Sequence, residues 1–270
     1  AADLFAPIHA RSDGVDGYVS LEVSPLLARD TASTLEEARR LHARAGRPNL
    51  FIKIPGTREG LPAIEEATFA GVPINVTLLF SCEQYLAAAD AYLRGVERRI
   101  AAGLNPAVAS VASLFISRWD VAVAGKVPAE LVNRLGIAIG QQTYRAYRQL
   151  LASARFQRIA NAGGRAQRLL WASTGTKDPK ASDILYVRAF AAPFTINTIP
   201  EKTLHAFADH GVLDGTLAAD GGDCDAVLAA FARAGIDTGA LATRLQDEGA
   251  AAFVRSWNEL MAHIGTRGAA

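Results

Sequence analysis

Two charged residues stand inside stretches that otherwise read as strand interior. Lys53 lies in "NLFIKIPGT" (residues 49–57), flanked by Phe51, Ile52 and Ile54. Lysine is among the residues least willing to be buried without a partner. Two readings are open. Lys53 snorkels to solvent or pairs with a carboxylate. Alternatively it is a Schiff-base nucleophile: a desolvated site disfavours the ammonium form, and a neutral amine attacks a carbonyl carbon. Glu22, in "SLEVSP", is the second misplaced charge. It reads as an ion-pair partner for Lys53 or an arginine. It reads equally as a general acid/base that moves protons, directly or through a water, while an imine forms and breaks. These roles are compatible.

Further polar residues share this placement. Asn75 and Thr77 in "INVTLLFS" are two apart and face one side of a strand, where an amide and a hydroxyl hold a substrate hydroxyl or an ordered water. Ser113 in "ASLFISRWD" is similar, and Arg118 lies just past that strand. An arginine there clamps a phosphate bidentately, or is a surface charge. "STGTKDP" (residues 173–179) offers Ser173 and, in Lys177, a second phosphate contact. Each of these residues alone is also an ordinary interior or surface polar group.

The elements that must position them alternate along the chain. Strands are predicted at 18–23, 50–54, 73–79, 108–115, 168–173 and 194–198, with helical periodicity between them. The helix after the first strand has Thr34 as its expected cap and Gly46 as its stop. From Arg118 to about Gly163 the pattern reads as helical throughout. Apolar strands alternating with helices predict a parallel sheet covered by helices. No G-x-G-x-x-G and no Walker loop follows a strand, which argues against a nucleotide-binding open sheet. Glu22, Lys53, Asn75, Ser113, Ser173 and Asn197 each lie in or at the end of a different strand. Side chains at strand ends converge on one face of a closed barrel, so the expected fold is α/β, a (β/α)8 TIM-type barrel. Only about six of its eight strands are found. Two further βα units need roughly 30 residues each, and little precedes Tyr18.

Composition narrows the function classes. The 270 residues are 50% hydrophobic and 20% charged with net charge +1, so no basic field marks a nucleic-acid partner. No apolar run reaches the ~18 residues of a membrane span. The first residues lack a signal-peptide pattern. Cys82 and Cys224 have neither zinc-site spacing nor disulfide density and read as structural thiols of a reducing, cytoplasmic compartment. The five scattered histidines suggest no metal site.

Taken in order, "SLEVSP", "LFIKIPGT", "INVTLLFS", "SLFISRWD", "WASTGTKDP" and "NTIPEKTL" resemble the transaldolase family in its bacterial branch, from about Asp13 to the C-terminus. The resemblance implies class I aldolase chemistry without metal or organic cofactor. Lys53 matches the lysine that attacks the ketone of a ketose phosphate. It retains a dihydroxyacetone unit after carbon–carbon cleavage and passes it to an aldose phosphate. Glu22 matches the glutamate working through a catalytic water, and Thr77 the threonine that helps hold that water. Asn75 and Ser113 match residues that hold the dihydroxyacetone part, and Arg118 a phosphate-binding arginine. The second phosphate arginine of many members falls near "STGTK", where Ser173 and Lys177 are the available groups.

The family also carries an aspartate near a "TSNP"-type motif on its first barrel strand, and no such segment occurs here. The expectation is therefore one barrel domain over residues 1–270, N-terminally shortened. Its expected partners are sugar phosphates, with monomer or homodimer left open. An aldolase that releases dihydroxyacetone, or an inert barrel with an interaction role, are the alternatives.

Overall fold

Runs of β-branched and aliphatic residues too short for a helix form a sheet whose outer side is dry. The computed structural model describes residues 1–268. The chain begins with α1 (Ala2–Arg11), β1 (Val19–Glu22), α2 (Thr31–Ala45), β2 (Leu50–Pro55), α3 (Gly60–Phe69), β3 (Ile74–Leu79), α4 (Cys82–Ala101) and β4 (Ser110–Phe115). Then come α5 (Ser117–Val123), α6 (Leu135–Ala152), α7 (Ala154–Asn161), β5 (Gln167–Ala172), α8 (Leu185–Ala189) and β6 (Thr195–Asn197). The last three helices are α9 (Glu201–His210), α10 (Cys224–Arg233) and α11 (Thr238–Gly268).

All six strands are parallel and pair in chain order. The sheet is thus six consecutive strands of a barrel, with β1 and β6 each bonded on one side only. Ile52, Ile54, Ile74, Val76, Leu114, Leu169 and Trp171 point outward and are buried under the helices. The helices pack sequentially: α2 on α3, α3 on α4, α4 on α6 and α6 on α10. The inward face carries Ser20, Phe51, Asn75, Val111, Arg168, Leu170 and Ile196, which line an interior cavity of about 200 Å³. The sheet is strongly curled. Arg165 donates to the carbonyls of Gly14 (2.8 Å) and Asp13 (3.3 Å), and Arg168 pairs with Asp16 at 3.3 Å. These contacts join β5 to the segment that leads into β1, across the mouth of the curl.

Local chemistry explains several boundaries. Ser81 and Gln84 close a reciprocal capping box on α4. Gly46 stops α2 in the left-handed conformation, as expected. The cap of α2 is not Thr34 but Asp30, which accepts from Ser33 N; the Thr34 hydroxyl donates to Leu27 O instead (2.8 Å). The chain turns into the helix one residue after Asp30, so only Asp30 reaches the free N–H groups. The helical stretch expected from Arg118 to Gly163 is three helices, the first ending at Val123 before Gly125 (φ +71°) and Pro128. Glycine and proline break the periodicity there. Helix α1 occupies a stretch in which no element was predicted. No helix among the described residues is long and apolar enough to cross a membrane.

Candidate active site

Parallel register brings the two misplaced charges together. Glu22 on β1 and Lys53 on β2 are direct partners in the ladder, so neighbouring strands hold their Cα atoms about 5 Å apart. Lys53 Nζ forms an ion pair with Glu22 Oε1. Lys53 is the one half-buried position in a strand that is otherwise buried, with its side chain 21% exposed against 42% for Glu22. The pair therefore sits at the boundary between core and solvent.

The next strand adds the uncharged groups. Lys53 is in register with Asn75. Ser113 Oγ donates to Asn75 Oδ1 (2.7 Å), and Asn75 Nδ2 donates to Ser20 Oγ (3.0 Å). Asn75 is thereby oriented from both ends of its amide while one amide hydrogen remains unused. Thr77 is buried on the same face, and its hydroxyl has no hydrogen-bond partner among the described residues. A buried hydroxyl without a partner is uncommon. Directly after it, β3 bulges, and Leu78 takes φ +59°, unusual for a branched residue.

Arg118, at the start of α5, is half-buried and makes no ion pair among the described residues. Its guanidinium lies 5.0 Å from the Phe115 ring, and desolvation alone lowers its pKa. A cation held away from water without an acidic partner is prepared for an anionic ligand. Close by, Ser117 Oγ and Ser173 Oγ are 2.9 Å apart, and Ser173 has φ +57°.

Lys177 lies four residues after Ser173 in the loop that follows β5; it is exposed and lines a cavity of about 830 Å³ together with Ser117, Asp120, Lys180 and Tyr186. Asn197 departs from expectation: it alternates to the outer face of β6, where it accepts from Thr174 Oγ1 (2.8 Å).

Other members of the site carried no recognised signal. Ser20 shares a face with Glu22, two residues earlier, a spacing visible in the sequence but unremarkable in composition. Gln246, Gly249 and Phe253 on α11 reach the barrel mouth. Gln246 Nε2 donates to Leu78 O (2.9 Å) and Gly56 O (3.1 Å). A Cβ at Gly249 would stand 2.9 Å from Leu78 Cδ2 and 3.0 Å from Arg118 Nη1. Lys53 Nζ is 5.7 Å from the centroid of the Phe253 ring.

An amine beside a carboxylate, an oriented amide with a free hydrogen, and an unpaired guanidinium at one mouth can bind a phosphorylated carbonyl compound and form an imine with it. Comparison with known proteins agrees in type. The family model described as Transaldolase/Fructose-6-phosphate aldolase matches residues 1–264. A transaldolase of Parafrankia sp. is 46% identical over 97% of this chain and 73% of its own length. A transaldolase of Thermobifida fusca is 46% identical over 100% of this chain and 76% of its own. A third, from Thiobacillus denitrificans, is 46% identical over 98% and 76%.

Proposed function

We propose, from the premise that the chain belongs to the transaldolase/fructose-6-phosphate aldolase family, that Lys53 is the Schiff-base nucleophile of a transaldolase. The protein is a transferase, and sugar phosphates are its substrates. Release of free dihydroxyacetone as the main reaction is not favoured, because the relatives described above are transaldolases.

In this reading Lys53 first passes a proton to Glu22 or to a water, since an ammonium nitrogen has no lone pair to donate. The free amine attacks the ketone carbon of a ketose phosphate, such as sedoheptulose 7-phosphate or fructose 6-phosphate. Loss of water, with Glu22 moving the protons, leaves a protonated imine. Carbon–carbon cleavage releases an aldose phosphate, and the electron pair of the broken bond is drawn toward the imine nitrogen. The three-carbon unit stays on Lys53, its hydroxyls against Asn75 and Ser113. The aldehyde carbon of a second aldose phosphate, glyceraldehyde 3-phosphate or erythrose 4-phosphate, accepts that unit. Water then adds to the imine and restores the lysine. Thr77 holds the water used by Glu22. Arg118, with Ser117 and Ser173 beside it, takes the phosphate. Lys177, in the same loop as Ser173 and lining a cavity with Ser117, is the second phosphate contact. The two free, buried thiols suit a reducing cytoplasm, and exchange between these ketose and aldose phosphates is pentose phosphate interconversion.

The observation that carries the proposal is the Lys53–Glu22 pair, set in register beside the Ser113–Asn75–Ser20 chain on one interior face. Borohydride trapping with fructose 6-phosphate, read by intact mass, tests it. One adduct located on Lys53 is expected, and none in Lys53→Ala. An undiminished adduct in that variant would place the nucleophile elsewhere.

A further inference from the structure

The scheme above makes no use of α11, yet this helix presents three residues to the site from one stripe. Gln246, Gly249 and Phe253 are spaced i, i+3, i+7, so they lie above one another on a single helix face. Gln246 ties the helix to the barrel at two carbonyls. One belongs to Gly56, three residues after Lys53; the other belongs to the strained Leu78, one residue after Thr77. Gly249 lets the helix descend until only a hydrogen fits between it and Leu78. Two turns beyond Gln246, the partly buried Phe253 ring stands 5.7 Å from Lys53 Nζ. A side chain on a helix anchored so near has its position set by the scaffold, not by a mobile loop.

We infer that Phe253 is a specificity-determining residue: it decides whether the three-carbon unit on Lys53 goes to an aldose or is lost to water. This rests on the Schiff-base reading of Lys53. After cleavage, the nucleophilic carbon of the bound unit lies two bonds from Nζ and has two fates. In transfer it attacks the aldehyde carbon of the acceptor; a carbon–carbon bond forms, and the aldehyde oxygen takes a proton. In loss it takes a proton itself from water. A second water then adds to the imine carbon, the carbon–nitrogen bond breaks, and dihydroxyacetone leaves with the lysine amine restored. Excluding water from a reacting centre suppresses such side reactions. A phenyl ring beside Nζ removes water from the neighbourhood of that carbon and offers neither proton nor hydrogen bond in its place. The hydrolysis that ends each productive cycle draws its water past Glu22, whose side chain is 42% exposed.

The experiment uses fructose 6-phosphate as donor and erythrose 4-phosphate as acceptor. It measures free dihydroxyacetone formed per transfer product in the full chain and in Phe253→Ala and Phe253→Leu. Borohydride adduct mass and circular dichroism are recorded for each. The expected result is a ratio raised about tenfold in Phe253→Ala and less in Phe253→Leu, with the Lys53 adduct retained, since a factor of ten is a small change between two competing barriers. In heavy water the released dihydroxyacetone gains one carbon-bound deuteron, as protonation at carbon requires. If Phe253→Ala fails to fold, Phe253→Leu, which keeps most of the apolar volume, decides alone. An unchanged ratio in a folded variant that still forms the adduct overturns the role of Phe253 and leaves the lysine reading standing. Absence of the adduct in the unsubstituted chain overturns the lysine reading itself, and this inference with it.

Discussion

Thr77 and Asn75 stand two residues apart on one strand face, but their hydrogen bonding is opposite. Asn75 has its amide held by Ser113 and Ser20, whereas Thr77 has no partner among the described residues. The first is held in place, and the second has both its donor and its acceptor free of side chains and backbone among the described residues. Thr77→Val, close to isosteric, removes that hydroxyl. The expected result is a nearly unchanged melting temperature, because the swap keeps the shape of the side chain and gives up one hydrogen bond to a water, whose net worth is about 1 kcal/mol. The same change is expected to lower kcat by about a hundredfold, the scale of a lost acid/base contribution. Melting curves and steady-state kinetics on one preparation check both; an unaffected kcat would take Thr77 out of the reaction. Arg118→Ala is expected to raise KM for phosphorylated substrates by about tenfold or more, and to leave unphosphorylated dihydroxyacetone analogues nearly unchanged, since it removes binding to the phosphate alone. An equal effect on both substrate types would end its phosphate role.

At the scale of elements, Gly249 couples helix packing to phosphate binding. An alanine there suits a helix better than glycine by about 1 kcal/mol. Its Cβ, however, would meet the ends of two side chains, Leu78 at 2.9 Å and Arg118 at 3.0 Å. The Arg118 end can move but Leu78 is fully buried, so the clash outweighs the helix gain and Gly249→Ala is expected to melt below the parent. The displaced guanidinium should raise KM for phosphorylated donors, and titration with substrate alongside the melt checks the pair of effects. The same helix shows where sequence reading ends. β2, β3 and β4 are legible as apolar, almost wholly buried runs bounded by turn residues, and the more exposed β1 and β6 as short β-branched stretches between helical patterns. Lys53 and Glu22 are legible as charges out of place. That they are register partners, or that Asn75 bonds Ser20, depends on strand order and curl, which no local pattern encodes. Asn197 faces the outer side of β6 for a related reason. Which face of a strand lines the interior depends on its register, and Asn197 is paired with the outward Trp171. The arrival of Phe253 at Lys53, 200 positions away in the chain, is a tertiary fact altogether.

For the molecule as a whole, acid is the condition that tests its electrostatics. Hydrogen bonds from Arg98 and Arg155 hold Glu66 and Glu97 below their ordinary value of 4.5. Folded carboxylates that titrate lower than unfolded ones contribute stability that is full above that value and is lost as pH falls through the lowered ones. Asp120 has the opposite sign. Burial raises its pKa although Tyr186, Leu135 and Gly136 all donate to it, so its protonation favours the folded chain as pH falls. The urea midpoint is therefore expected to drop between about pH 6 and about pH 3.5, and to drop less in Glu66→Gln/Glu97→Gln. A midpoint that rises on acidification would mean that buried carboxylates such as Asp120 dominate. The ladder that pairs Glu22 with Lys53 carries one further consequence. Because successive side chains on a strand face opposite ways, a single extra residue inserted between Ser20 and Leu21 would rotate the carboxylate to the helix-facing side and bring Leu21 opposite the amine. Changes of length inside β1 would thus act as an on–off parity code for catalysis, while the same insertion in the glycine-bearing loop before Tyr18 would leave that parity intact.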